Sequence, residues 1–377
     1  MTTRIAIALA AAVALTGCAE DALFDATAPV HVDVSAPTPE RLSEMNLFGW
    51  DAAEGFTYND RVVPYTLATP LFTDYAVKFR AIYVPEGETI AFEETEVLDF
   101  PVGTVIVKTF AYPADLRAPE DDLDLIETRV LRLTDSGWET WPYIWNEDDT
   151  DAILSPAGET RRISFLDAQG VEQTANYLIP QRNQCRSCHE RLPEGGGRAY
   201  MTPIGPAARH LDRDFDYPEG TVNQLDHLVD LGMLEGMPGT AAVAESYHFD
   251  AVLTDGLDAI APDDLDHAAR SYLEINCAHC HNPRGTQGVT SRLYLDVFNE
   301  DLFNLGVCKR PGSAGEGNGG LTYDIVPGNP DESILVFRTE TTEVGAMMPL
   351  LGRSLRDDPG AAVVRAWVAA MEPQVCE

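Results

Sequence analysis

Two pentapeptides constrain this chain more than anything else in it: Cys185-Arg186-Ser187-Cys188-His189 and Cys277-Ala278-His279-Cys280-His281. Each is C-x-x-C-H, a spacing that sets two sulfurs on adjacent turns with an imidazole immediately after them. Thioethers from both sulfurs to the vinyl groups of one haem, with the histidine on its iron, use that spacing fully. Two copies predict two haem c groups. Cys185, Cys188, Cys277 and Cys280 would hold them covalently, and His189 and His281 would bind the irons. Zinc and thiol redox chemistry are the competing uses of paired cysteines. Zinc ribbons keep their pairs close, whereas these pairs fall in separate regions expected to be separate domains. A thioredoxin-type pair needs a βαβ setting, which the flanking sequence lacks. His279, between the second pair of cysteines, is expected to be exposed.

The start of the chain fits an exported protein. Arg4 precedes an uninterrupted apolar run from Ile5 to Leu15, long enough for a signal-peptide core and too short to span a bilayer. Leu15-Thr16-Gly17-Cys18 resembles a lipobox, which implies that residues 1–17 are removed and that Cys18 carries lipid. Acyl chains contribute about 0.8 kcal/mol per buried CH₂, so more than one makes a lasting membrane anchor. Ala19 after the cysteine favours the outer membrane. The expected place is the periplasmic side of the envelope, where haem is attached to such motifs. No later stretch is apolar for long enough to cross a bilayer. Of the seven cysteines, Cys308 and Cys376 remain, and in an oxidising compartment they are expected to form a disulfide.

A length of 377 residues suggests two or three domains. Residues 18–40, rich in Ala, Pro and Asp, read as the lipidated cysteine and a tether. Residues 41–180 carry strand patterns: Tyr75–Tyr83 alternates, and Val102–Tyr112 is rich in β-branched and aromatic residues. Ile126–Leu133 and Trp138–Trp145 flank Asp135-Ser136-Gly137, a hairpin signal, and runs near Ile163 and Tyr177 are split by Gln169-Gly170. Trp138, Trp141, Tyr143 and Trp145 suit sheet packing better than a sugar-binding face. Residues 181–262 hold the first motif and a helical stretch from Val222 to Leu234. Residues 263–377 begin with a helix capped at Asp263 or Asp264 that runs into the second motif, and end with a helix over Gly360–Met371. The expected fold is multidomain α+β: an antiparallel β-sandwich-like domain followed by two mainly helical cytochrome c-type haem domains.

A haem iron with one histidine has an open face, so the sixth ligand decides its chemistry. In Ala346-Met347-Met348-Pro349, Met348 is the expected ligand of the second haem, with Met347 as the alternative. For the first, Met201 is the best single candidate; His210, His227, Met233 and Met237 are also within chain reach. Gly315–Gly320 fits G-x-G-x-x-G, but no strand leads into it, so it reads as a surface loop. The net charge of −35, from 26 Lys+Arg against 61 Asp+Glu, disfavours nucleic acid as a partner. It suits a basic redox partner, or simply solubility in a saline habitat.

Ile275–Asn282, Val326–Pro330, Ser333–Leu335 and Met347–Pro349 resemble a group of exported bacterial dihaem c-type cytochromes. So do Asn183–His189 with Ile204–Pro206, and Pro101–Thr104 with Lys108–Phe110. The final domain is also similar to small class I cytochromes c, apart from Leu350 where many have a second proline. The resemblance implies a dihaem lipoprotein that transfers electrons. A dihaem peroxidase or reductase with an open first haem, served by Glu190 or Glu194, is the enzymatic alternative. A β domain that binds a glycan or surface partner, with accessory haems, is the third.

Overall fold

The computed structural model describes residues 24–286, 289, 291–312 and 315–377. The expected signal peptide 1–17 and the expected lipidated Cys18 lie outside the described residues. Six strands form the main sheet: β1 (Val62–Pro64), β2 (Val77–Tyr83), β3 (Val105–Tyr112), β4 (Asp124–Thr134), β5 (Gly137–Trp145) and β6 (Ala152–Leu154). All pairings are antiparallel and follow chain order, as short turns between alternating runs dictate. The expected hairpin at Asp135-Ser136 joins β4 to β5, with Thr134 opposite Gly137.

Alternation gives the sheet two different faces. One buries Ala81, Val105, Val107, Val130, Tyr143 and Trp145 against Leu42, Met45, Leu47 and Phe48. Residues 24–40, tether-like in composition, lie along this face. The Asn46 amide donates to the carbonyls of Asp25, Ala28 and Pro29, and the Arg132 guanidinium donates to the Asp33 carbonyl at 3.0 Å. The aromatic run of β5 is packing rather than an open platform: Tyr143 and Trp145 are core residues, Trp138 meets Phe100, and the Arg182 guanidinium covers Trp141.

The second face has apolar ends. At one end Ile82, Ile106 and Leu131 share a core with Ala208, Leu211, Leu225, Leu228 and Ile275. At the other, Phe110 and Ile126 pack on a separate hairpin, β7 (Glu159–Leu166) with β8 (Glu172–Ile179). The sheet therefore has a two-stranded partner over part of one face, not a full second layer.

The two mainly helical haem domains expected from the sequence are not found. The structure is 24% helix and 26% strand, with eight α-helices among the described residues, so helix dominates no large part of it. Between residues 181 and 262, four helices of 4–7 residues alternate with two-stranded ribbons. This region lacks the long amphipathic stripes that would let helices pack on each other, and its apolar residues dock on the sheet instead.

The final region is built around α1 (Leu265–Leu273), α2 (Ile334–Glu340) and α3 (Asp358–Ala370), joined by long loops. Helices α1 and α3 touch at Gly360, where a Cβ would stand 2.1 Å from the Tyr272 ring, so only glycine permits this approach. Val363, Val364, Trp367 and Val368 complete their shared core with Ala269 and Leu273. Cys308 and Cys376 are joined in a disulfide, as expected. No helix among the described residues is long and apolar enough to cross a membrane.

Candidate functional site

Helix α1 continues through a π-turn, Glu274–Ala278, that delivers Cys277. Asn276 fixes this turn to the β1–β2 connection: its amide donates to the Pro70 carbonyl at 3.1 Å, and its oxygen accepts from the Phe72 amide at 2.8 Å. After the second motif, Gly285 passes so close to the Cys280 carbonyl that a Cβ would lie 2.0 Å from it. The first motif sits in the short helix Arg186–His189, entered from Arg182, which donates to the Thr140 carbonyl of β5.

These connections bring the two motifs together. The ligand atoms of Cys188, His279 and Cys280 lie within 4.8 Å of one another, and the Cys280 thiol donates to the Ser187 carbonyl at 3.2 Å. Pairs of cysteines far apart in the chain are thus neighbours in space, which removes the separation that argued against a shared metal site. His279 is half-buried rather than exposed, and its Nδ1 is a buried atom without a hydrogen-bond partner among the described residues. The neighbouring Cys280 and His279 lower the Cys188 thiol pKa, whereas burial raises Cys277 to about 12.

Cys277, Cys280, His281 and Met348 line one cavity of about 530 Å³, floored by Leu293, Leu295, Ile334 and Leu335. Burial lowers His281 to about 4, so its imidazole is neutral at pH 7, the form that binds a metal. Its Nδ1 is buried and has no hydrogen-bond partner among the described residues. Met348 is held at both ends of its residue. Its amide donates to the Arg338 carbonyl at 2.8 Å, and its carbonyl accepts from Arg353 Nε at 2.9 Å. Arg353 also donates to the carbonyls of Leu355, Arg338 and Thr341. Sequence reasoning found Met348 and missed its clamp. An arginine shortly after Met-Pro was the available signal, but arginines on loops are too common to single out.

His189 is arranged differently. Its Nδ1 meets the Thr202 carbonyl at 2.9 Å, so Nδ1 carries the proton and Nε2 is left free to accept a metal. Burial lowers this ring to about 4 as well. Met201 lies on the strand Tyr200–Met201, paired with Glu190–Arg191, next to the carbonyl that fixes His189. It lines neither main cavity. Of the other candidates, Met233 is core, His227 stacks on Tyr217, and Met237 packs on the same core.

His210 lines a second cavity of about 720 Å³ together with Cys188, His279, Arg209 and Glu274. Arg209 donates to Glu274 Oε1 at 2.8 and 2.5 Å, while Glu274 Oε2 has no hydrogen-bond partner among the described residues and stands 3.7 Å from His210 Nε2. Glu194 is 89% exposed at the rim of this cavity, and Glu190, half-buried directly after His189, pairs with Arg186.

The residues of the Met348 cavity fit a haem: an apolar slot, two unoxidised thiols and a neutral imidazole at one wall, and a thioether at another. All four motif cysteines are free while Cys308 and Cys376 are bridged. Comparison with protein-family models, with curated proteins and with solved structures finds no match to this chain.

Proposed function

We propose that the chain is a dihaem c-type cytochrome that carries electrons at the periplasmic side of the envelope, anchored by lipid on Cys18. The observation that carries this reading is the gathering of both C-x-x-C-H motifs at one place, with Met348 in the same cavity as His281. A bound haem supplies a one-electron ferric/ferrous couple. Cys277 and Cys280 would hold the second haem, and His281 and Met348 would bind its iron. Cys185, Cys188 and His189 would hold the first. The chain's own contribution is to keep the sulfurs of Cys188 and Cys280 within 4.8 Å, so that the two attachment points adjoin. Leucines and isoleucines line the second site, and Arg353 holds Met348 in place. A basic redox protein is the partner that the net charge of −35 would steer.

The test is the optical spectrum and intact mass of the protein made in a haem-attaching host. Two covalent haems, low-spin and indifferent to carbon monoxide, are expected. A chain without covalent haem sinks the reading, and one haem that binds carbon monoxide makes the first site an enzyme candidate.

The cluster Cys188, His279 and Cys280 favours a second reading, a single metal ion between the motifs. Zinc–sulfur bonds of about 2.3 Å would draw these atoms slightly closer than they stand. The same sulfurs cannot serve both as thioethers and as thiolate ligands in this way, so one equivalent of zinc without haem would select this reading.

A further inference from the structure

The chain contains only three lysines, and two of them, Lys78 and Lys108, point from one face of the main sheet together with Arg80 and Arg129. Pairing places Arg80 opposite Lys108 and Lys108 opposite Arg129, with Lys78 one step along β2 on the same face. Directly opposed side chains in a sheet stand about 5 Å apart, and like charges so placed repel. We propose that this row of cations receives the two carboxylates of the first haem. The inference rests on the dihaem reading above and assigns the residues that complete its first site.

Several observations converge on that assignment. Glu127 is the one carboxylate on this stretch of the face, and it is already engaged, accepting from Arg129 at 2.6 and 3.0 Å and from the Tyr177 hydroxyl at 2.6 Å. Asp74 and Asp357 stand at the Lys78 end, but Asp74 accepts from Ser354 and Leu355, and Asp357 from Tyr272 and Gly360. Among the described residues neither the Arg80 guanidinium nor the Lys108 ammonium forms a hydrogen bond; Tyr65 is the group beside Arg80, and the Phe110 ring lies 4.7 Å from the ammonium. Burial without a counter-ion pushes both lysines below their ordinary value, Lys78 to about 7. Cations so placed are costly unless an anion joins them.

The row also lies where the first motif attaches. The Arg129 charge bears on both the Cys185 thiol and the His189 ring. Arg129, Lys78 and Lys108 are half-buried and keep accessible surface, 25% of the side chain for Arg129. A flat apolar ring bearing two carboxylates at one edge suits a face with apolar ends, Ile82 and Ile106 on one side and Phe110 and Ile126 on the other, and cations between.

Lys108→Gln and Arg80→Gln, in the full-length holoprotein, test this by redox titration followed optically, with dithionite supplying one electron to each ferric iron. Reduction adds a negative charge at the iron, so removing a nearby cation favours the ferric form. The expected result is a fall in the midpoint potential of one haem, with the other unchanged, and recovery in Lys108→Arg. A Met348→Ala chain identifies which midpoint belongs to the second haem. Variants that keep both haems and both midpoints would overturn the assignment, as would an equal fall at both haems or a fall confined to the second. If Lys108→Gln does not accumulate, Lys78→Gln reads the same shift. Absence of haem from the unaltered chain would instead refute the dihaem reading itself.

Discussion

Arg353 offers the clearest test of how the Met348 cavity is maintained. It is 7% exposed and directs its guanidinium at backbone oxygens: Met348 at 2.9 Å, Leu355 at 3.1 Å, Arg338 at 2.9 Å and Thr341 at 2.8 Å. Arg353→Gln removes these bonds and leaves the carbonyls short of donors. A hydrogen bond from a charged donor contributes about 1.5–3 kcal/mol, but carbonyls that reach water recover part of it. Losing four together should cost the loop roughly 3–5 kcal/mol of local stability, the scale for breaking a buried charged network. At about 1.4 kcal/mol per tenfold, local opening becomes at least a hundred times more frequent. Hydrogen exchange reads this directly, because the Met348 amide donates to Arg338 at 2.8 Å and exchanges only when the loop opens. Arg353→Lys, with one ammonium for four carbonyls, should fall between. Unchanged exchange at Met348 in Arg353→Gln would show that the loop is held by its other contacts and that the arginine is not its clamp. Variants are compared at equal haem content, because a bond from Met348 to an iron would itself hold the loop closed.

Removing the Cys308–Cys376 disulfide by alanine substitution opens a loop spanning 68 residues, for which chain entropy predicts a loss of about 4 kcal/mol. Denaturant unfolding followed at Trp367 should register it, and a loss below about 1 kcal/mol would contradict the entropic account. Gly360→Ala forces a methyl into the Tyr272 ring and should destabilise the α1–α3 contact by roughly 1–3 kcal/mol; a melting temperature equal to that of the unaltered protein would refute the close crossing. Burial raises Asp149 to about 6, so the native state holds its proton between pH 4 and 6. The stability that this gives is complete below the unfolded pKa and lost as pH rises through 6. Asp149→Asn should therefore gain about 1 kcal/mol at pH 7, after allowing for its partial exposure, and nothing at pH 4. Equal gains at both values would show that the carboxylate's charge is not the cause.

The regular strands and the two longest helices were the most legible in the sequence. Strand periodicity located β2 to β5, β7 and β8, because each run alternates cleanly and ends at a turn. The helix entering the second motif and the one closing the chain were legible for the corresponding reason, a 3.6-residue apolar stripe. The region 181–262 was misjudged because its apolar residues are spaced for neither period. Leu211, Leu225 and Leu228 are core residues only by virtue of Ile82, Ile106 and Leu131, which lie far away in the chain. Short helices and ribbons docked on a sheet leave no stripe of their own, so the expectation of a helical domain had nothing local to correct it.

The same long-range docking explains why the site was only half visible. C-x-x-C-H is a local signal and survives any fold; the approach of one motif to the other does not. It arises because Ile275, two residues before Cys277, belongs to the core that the sheet shares with residues 204–234, while Asn276 bonds to Pro70 and Phe72 beside β2. The second motif is thereby seated next to the sheet face over which the first is folded, and Cys188 meets Cys280. The cations of that face illustrate the point from the other side. Lys78, Arg80 and Lys108 alternate with Phe79, Ala81 and Val107, a pattern that in an ordinary half-buried strand marks the solvent side. Only the covering of that side by residues 159–275 turns a solvent-like pattern into an enclosed row of cations. In a chain with three lysines and a net charge of −35, cations placed there do not serve solubility. Their cost is understandable if a dianion is part of the finished structure.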